Sequence, residues 1–345
     1  MHLTRLIEDV EKTHTSLGCA LAIALITAKA RMCLLFVSPA GCGKSTISNS
    51  IGSLTPKSKK LDSVTRSSLG PFATELTEYK GVILIDDLGK IDTYYSRLAT
   101  ITTFCELCYS HFVEKHTYQS HISVVDFHGS CIINCQPAVL KRVVQSPEWE
   151  STVQDKTLRY YHLRRPLNPV YDVPNASIAW GKELAKITLK HDDITNLSKL
   201  YEIGIVQWSR SRVLEHINNL LKATAALNGR TKVTNEDALL LYELMKPCYT
   251  EHYVMTKSSF EEGRDLNSNL LCLLTEFATY GKFSIRQVCE DYKISQATAY
   301  RLMEQYSSHW QLVSKNPTRY KASEKLDKAI KSIAPQVKLN IERGS

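Results

Sequence analysis

Glycine and proline are scarce in this chain, 14 and 11 of 345 residues. That excludes collagen-like and low-complexity architectures and leaves room for regular elements. No apolar run free of charge is long enough to span a bilayer. The nearest, Gly18 to Val37, carries Lys29 and Arg31 in its interior, where charge is costly in hydrocarbon, so it reads as a helix followed by a strand. A secretory leader, a targeting signal and internal repeats are not apparent. The expectation is a soluble intracellular protein, cytoplasmic or nucleoid-associated, and not a solenoid. Acidic residues are the minority, 35 against 43 Lys and Arg, a net charge of +8. Beyond Asn267 stand twelve Lys and Arg and seven Asp and Glu, so +5 of the excess belongs to the C-terminal end, which suits an anionic partner. Cysteine is plentiful by contrast. Ten residues at irregular spacing point to free thiols in a reducing cytosol rather than a disulfide framework.

At 43% hydrophobic residues, a chain of this length holds two or three domains with cores of their own. From Leu3 to about Pro166, strand-like runs alternate with helix-length segments, the pattern of a parallel sheet with crossover helices. The strands expected are Cys33–Val37, Lys60–Val64, Val82–Ile85, Cys131–Cys135 and Tyr160–Leu163. Arg164 to Asn175, with three prolines, reads as a connector. Ala176 to Met245 is helical, with Leu214, Ile217, Leu220, Leu221, Ala225 and Leu227 as an apolar stripe and Thr234 as the N-cap of a further helix. Cys248 to Leu266 is polar and mixed, a linker by composition.

The stretch "LLFVSPAGCGKST", Leu34 to Thr46, matches G-x-x-x-x-G-K-[ST] except that Ser38 stands where the first glycine would be. In that motif glycines let successive backbone N–H groups point at a phosphate. Ser38, Ala40, Gly41, Cys42, Gly43, Lys44, Ser45 and Thr46 form the expected cradle, with Lys44 on the β/γ oxygens, Ser45 on Mg²⁺ and Thr46 at the positive end of a helix dipole. "GVILIDDLGK", Gly81 to Lys90, is an apolar strand ending in two carboxylates. Asp86, expected on a strand beside the phosphate strand, is the second metal candidate. Asn134 ends the apolar stretch of "GSCIINCQP" and is the candidate for positioning a hydrolytic water.

Through these three stretches the chain resembles the AAA+ ATPase superfamily from roughly Leu17 to Met245. Ser209 to Asp237 is similar to the helical lid of its MCM and MoxR-type branches. The resemblance implies ATP and Mg²⁺ as cofactors and Asp87 as the base that orients water, where the family commonly has Glu. It implies Arg212 as sensor 2, with Arg210 the alternative. It implies a homo-oligomeric ring, a hexamer by preference, in which a neighbour's cation completes the site. For that cation Arg159 is favoured over Lys156, a point charge without the planar fork, and Arg142 is a further candidate.

"FSIRQVCEDYKISQATAYRLMEQYSSHWQLVSKNPTRYKAS", Phe283 to Ser323, reads as helix, turn, helix and hairpin, and resembles a winged helix-turn-helix domain. Ser284 with Gln287 makes a capping box, and Ser295 caps the second helix. Gln296, Thr298, Tyr300 and Arg301 would face a major groove, and Lys315, Arg319 and Lys321 would touch backbone phosphates. The expected fold class is therefore α/β: an AAA+ P-loop core over 1–170, a helical lid over 171–248, a linker over 249–266, a winged helix over 267–323 and a basic tail over 324–345. The expected activity is ATP-driven action on DNA of a replication type (helicase, initiator or helicase loader), with a replication or mobile-element partner. A MoxR-like protein remodeller and an ATP-gated DNA-binding switch with little turnover are the alternatives. Cys105, Cys108, His111 and His116, with Cys131 and Cys135, look like a zinc set, but the helical pattern of Thr100 to His116 argues for packing instead. Lys115 to Gly129, with His116, Tyr118 and His121, and Thr65 to Phe72 are candidate pore loops.

Overall fold

The structure is a computed structural model describing residues 2–62, 64–116, 121–167, 170, 172–257 and 264–337. The chain opens with α1 (His2–Thr13) and α2 (Gly18–Lys29), then β1 (Cys33–Val37), α3 (Lys44–Leu54) and β2 (Ser58–Lys60). A 3₁₀ segment, Arg66–Phe72, and the short α4 (Ala73–Leu76) lead to β3 (Val82–Ile85) and the long α5 (Tyr94–Ser110). A hairpin of β4 (Val113–His116) and β5 (His121–Val124) follows, then β6 (Ser130–Cys135), α6 (Pro137–Val143) and β7 (Thr157–Tyr161). Three helices come next, α7 (Leu197–Gln207), α8 (Arg210–Leu227) and α9 (Asn235–Met245). They are followed by α10 (Thr250–Val254) and a ribbon of β8 (Met255–Lys257) and β9 (Arg264–Leu266). The C-terminal unit comprises α11 (Ser268–Tyr280), β10 (Lys282–Phe283), α12 (Ile285–Tyr292), α13 (Gln296–Gln305), β11 (Trp310–Lys315), β12 (Thr318–Ala322) and α14 (Glu324–Ile333).

Five strands form a parallel sheet in the order β2-β3-β6-β1-β7. Alternation along each strand splits the core into two layers. Leu34, Phe36, Leu84 and Ile132 pack with α1, α2, α3, α8 and α9 on one face. Leu35, Val37, Ile83, Ile85 and Ile133 pack with α5 and α6 on the other, and that layer runs on into Leu271, Phe277 and Phe283 of the C-terminal unit. Helix α2 is apolar all round and almost wholly buried, which fits its place between the sheet and α8. No helix among the described residues is long and apolar enough to cross a membrane.

Two strands lie elsewhere than the sequence suggests. Strand β2 is Ser58–Lys60, a lysine-bearing edge strand whose composition hides it. Strand β7 begins at Thr157 rather than Tyr160, because the charged Arg159 inside it is fully buried and neutralised by Glu251. The stretch 249–266 is no free connector, since it carries α10 and the β8–β9 ribbon. Likewise 324–333 is a helix. Leu326, Ile330 and Ile333 of α14 are buried, and each such side chain contributes about 1.5–3 kcal/mol to docking it.

Candidate functional site

Strand β1 delivers the chain into the loop from Ser38 to Gly43, and α3 starts at Lys44. Gly41 and Gly43 have φ of +77° and +78°, the left-handed region that L side chains rarely adopt. A Cβ on Gly43 would also meet Leu17 Cδ2 at 2.8 Å. Ser38 needs no such freedom: its N–H continues the sheet ladder to Cys135 O at 3.1 Å, and it has no positive φ. That is why serine is tolerated where the motif has glycine. The Lys44 ammonium donates to Ser38 O at 2.8 Å and Pro39 O at 2.7 Å, spanning the loop, and burial lowers its pKa.

The sheet register places the polar strand ends side by side. Ile85 pairs with Ile133, and Asn134 pairs with Phe36, so Asp86 stands level with Asn134 one strand over. Strand β6 thus lies between β1 and β3, correcting the expectation that the Asp86 strand adjoins the loop strand. Asn134 is fully buried; its Nδ2 donates to Ser48 Oγ at 2.8 Å and to Lys44 O at 3.3 Å, which ties it to the first turns of α3. Its Oδ1, and Oδ1 of Asp86, are buried with no partner among the described residues. Acceptor oxygens without donors in such a place are costly unless a ligand completes them. Asp86 Oδ2 accepts from Lys90 Nζ at 3.2 Å. Asp87 caps the turn Leu88–Lys90: Oδ1 accepts from Gly89 N at 2.8 Å and Oδ2 from Gln136 Nε2 at 3.2 Å.

No protein-family model and no curated protein matches this chain. What the site can do follows from its own residues.

Three expected site residues lie apart from it. Arg159 is wholly buried and held by Glu251 (Nε to Oε2 2.7 Å, Nη2 to Oε1 3.0 Å) and by Gln154 O at 2.7 Å. It cannot extend to another subunit, so its role as a finger falls. The pairing of Cys33 with Thr157 puts Lys156 at the N-terminal edge of the sheet, the end opposite the loop. Arg212 is there too. Ser209, just before α8, is held by Asp155 at 2.7 Å, and the Arg212 guanidinium lies 4.7 Å from the Tyr109 ring and 3.3 Å from Glu215. The five residues of β1 span roughly 13–16 Å between the two edges, so neither Arg212 nor its alternative Arg210, at the same helix start, reaches the loop. The lid resemblance misled because it carries residue types and not the docking of α8. Arg142, on α6 at the loop's edge, is exposed.

Sequence reasoning missed Arg165. From the presumed connector it donates to Ala40 O in the loop, faces Glu276 Oε1 at 3.4 Å and Asp291 Oδ2 at 3.5 Å, and lies 4.9 Å from the Tyr292 ring. Gln136, the partner of Asp87, was also missed; neither belongs to a motif, and only tertiary proximity marks them. A cavity of about 580 Å³ is lined by Ser16, Cys19, Arg164 and Arg165 and walled by Ile330 and Ile333 of α14; no loop residue lines it, and Arg165 alone connects it to the loop, at Ala40 O.

In the C-terminal unit Ser284 and Gln287 form the expected capping box and Ser295 caps α13. β10, β12 and β11 make a three-stranded sheet beside the two helices. Gln296, Thr298, Tyr300, Arg301, Lys315, Arg319 and Lys321 are all exposed. The supposed zinc set does not come together as one group: Cys105, Cys108 and Cys131 meet in the core, while His111, His116 and Cys135 lie elsewhere. Cys105 and Cys108 are buried on α5 facing the register partners Cys33 and Cys131, and burial pushes the Cys105 and Cys131 thiols up. His111 ends α5 and bonds Phe127 O at 2.8 Å. The two candidate pore stretches pack on each other, β4–β5 against Arg66–Phe72, with Tyr118 outside the described residues.

Proposed function

We propose that this chain is an ATPase of the AAA+ type that acts on DNA. The observation that carries the reading is the convergence, at one edge of a parallel sheet, of a left-handed glycine loop, Lys44 at a helix start, and the unpartnered Asp86 and Asn134 oxygens. These residues fit a nucleoside triphosphate and a hard cation. Lys44 would release the loop carbonyls to take the β/γ oxygens, and Ser45 and Asp86 would hold Mg²⁺. The cation, when bound, supplies charge neutralisation on the transferring phosphoryl group. Asp87 would hold and accept a proton from the attacking water, and Asn134 would orient that water. The cavity that Arg165 connects to the loop falls, at about 580 Å³, in the range of small-ligand sites.

For the DNA arm, support comes from the exposed row on α13 and the basic strand pair. Assembly into a homo-oligomeric ring is part of the reading, with the exposed Arg142 as the candidate cation for a neighbour's site. A replication-type motor is the first assignment. A nucleotide-gated DNA-binding switch is the second, because both Asp87 oxygens are already engaged by Gly89 and Gln136.

Turnover measured with and without DNA tests this. Lys44→Ala should lose roughly a hundredfold or more of ATP hydrolysis, with an unchanged circular-dichroism spectrum, and Asp87→Asn should bind ATP but turn it over far more slowly. Stimulation by DNA supports the motor; ATP-dependent DNA binding without turnover supports the switch. Normal hydrolysis by folded Lys44→Ala would end both.

A further inference from the structure

The hairpin β4–β5 carries a second constellation, remote from the loop. It leaves the sheet at the edge where β3 and β6 begin, held there by Glu78 N to Val125 O at 3.1 Å. Val113 and Val124 pair and are buried, and Ile122, next along that face, lies against Gly70. The opposite face is polar by alternation. His116 and His121 are direct cross-strand partners, and Glu114 lies two residues before His116 on the same face.

We propose that Glu114, His116 and His121 bind a divalent transition-metal ion of the zinc class. The imidazole rings of the two histidines stack at 4.2 Å with 11° between planes. Both Nε2 atoms converge on Glu114 Oε1, at 3.1 Å from His116 and 2.5 Å from His121. All three donor atoms lie within 4.8 Å of one another. Ligands held at 2.0–2.2 Å in a tetrahedron stand about 3.3 Å apart, so closure on an ion takes small side-chain rotations and no movement of backbone. Two neutral imidazoles and one carboxylate give a net negative, borderline donor set, which suits Zn²⁺ and its neighbours and not Mg²⁺. Three protein ligands leave a position open to water or an anionic group. An ion here would clamp one strand to the other at the last pair of the ladder.

The test is zinc titration of the full chain, freed of metal by chelation, followed by calorimetry and by histidine ¹⁵N resonances, with Co²⁺ absorption as the report on ligand type. The expected result is one Zn²⁺ per chain, shifts at two Nε2 atoms, and a Co²⁺ spectrum without sulfur charge transfer. The double variant His116→Ala/His121→Ala should lose at least roughly tenfold in affinity, and Glu114→Gln should weaken it separately; these side chains are exposed, so both variants should keep the wild-type circular-dichroism spectrum. Asp86→Asn should bind zinc as wild type does, which separates this site from the nucleotide site. Undiminished binding by the folded double variant, a thiolate spectrum, or no stoichiometric uptake would each overturn the assignment.

Discussion

His162 lies one residue past β7 with 5% of its surface exposed, 5.7 Å from the Phe36 ring. Burial, with Arg164 and Lys44 close by, pushes its pKa down to about 3. Protonation therefore favours the unfolded chain, in which this histidine titrates near its ordinary 6.5. Stability should fall as pH drops from about 6.5 toward 3, and His162→Gln should flatten that limb by an amount on the order of 4 kcal/mol, read from urea midpoints at a series of pH values. Glu276 has the opposite sign. Burial raises its pKa to about 7, so the folded state loses stability as pH rises from about 4.5 to 7 and a carboxylate must form in the interior. Glu276→Gln should gain on the wild type across that interval.

At the scale of elements, β7 and α10 are joined by one buried ion pair. Arg159 and Glu251 are 0% and 1% exposed, and Gln207 at the end of α7 bonds both the Arg159 N–H at 2.8 Å and Glu251 Oε2 at 3.2 Å. Removing one partner strands the other charge in the core. Glu251→Ala should cost about 3–5 kcal/mol in chemical denaturation, whereas Arg159→Met together with Glu251→Leu should recover most of it. The sequence concealed this element for the same reason: a charged residue in a strand and a polar stretch after Met245 look like surface until the two charges are seen to meet.

For the whole molecule, Arg165 is the joint between the loop and the C-terminal unit. It touches Ala40 on one side and Glu276, Asp291 and Tyr292 on the other, and its own N–H donates to Thr279 Oγ1 at 3.1 Å. A displacement of the loop would therefore be felt by α11 and α12, the elements that precede α13. Arg165→Ala should lower stability by about 3 kcal/mol and split calorimetric unfolding into two transitions, the C-terminal unit melting first. A single transition at the wild-type temperature would mean that the apolar layer from Leu271 to Phe283 alone joins the units.

The sequence by itself determined whatever depends on neighbours along the chain. Cys33–Val37 and Val82–Ile85 are strands because short β-favouring runs were bounded by turn residues, the glycine loop follows from its backbone chemistry, and Ser284 and Thr234 cap helices through partners three residues away. Tertiary structure alone decided what depends on distance through space. It put Arg212 and Lys156 at the wrong edge for the loop, buried Arg159, inserted β6 between β1 and β3, brought Arg165 to Ala40, and set His121 opposite His116. Residue type fixes which bonds a side chain can make. Which of them it makes is set by packing between elements far apart in the chain, and no local pattern records that.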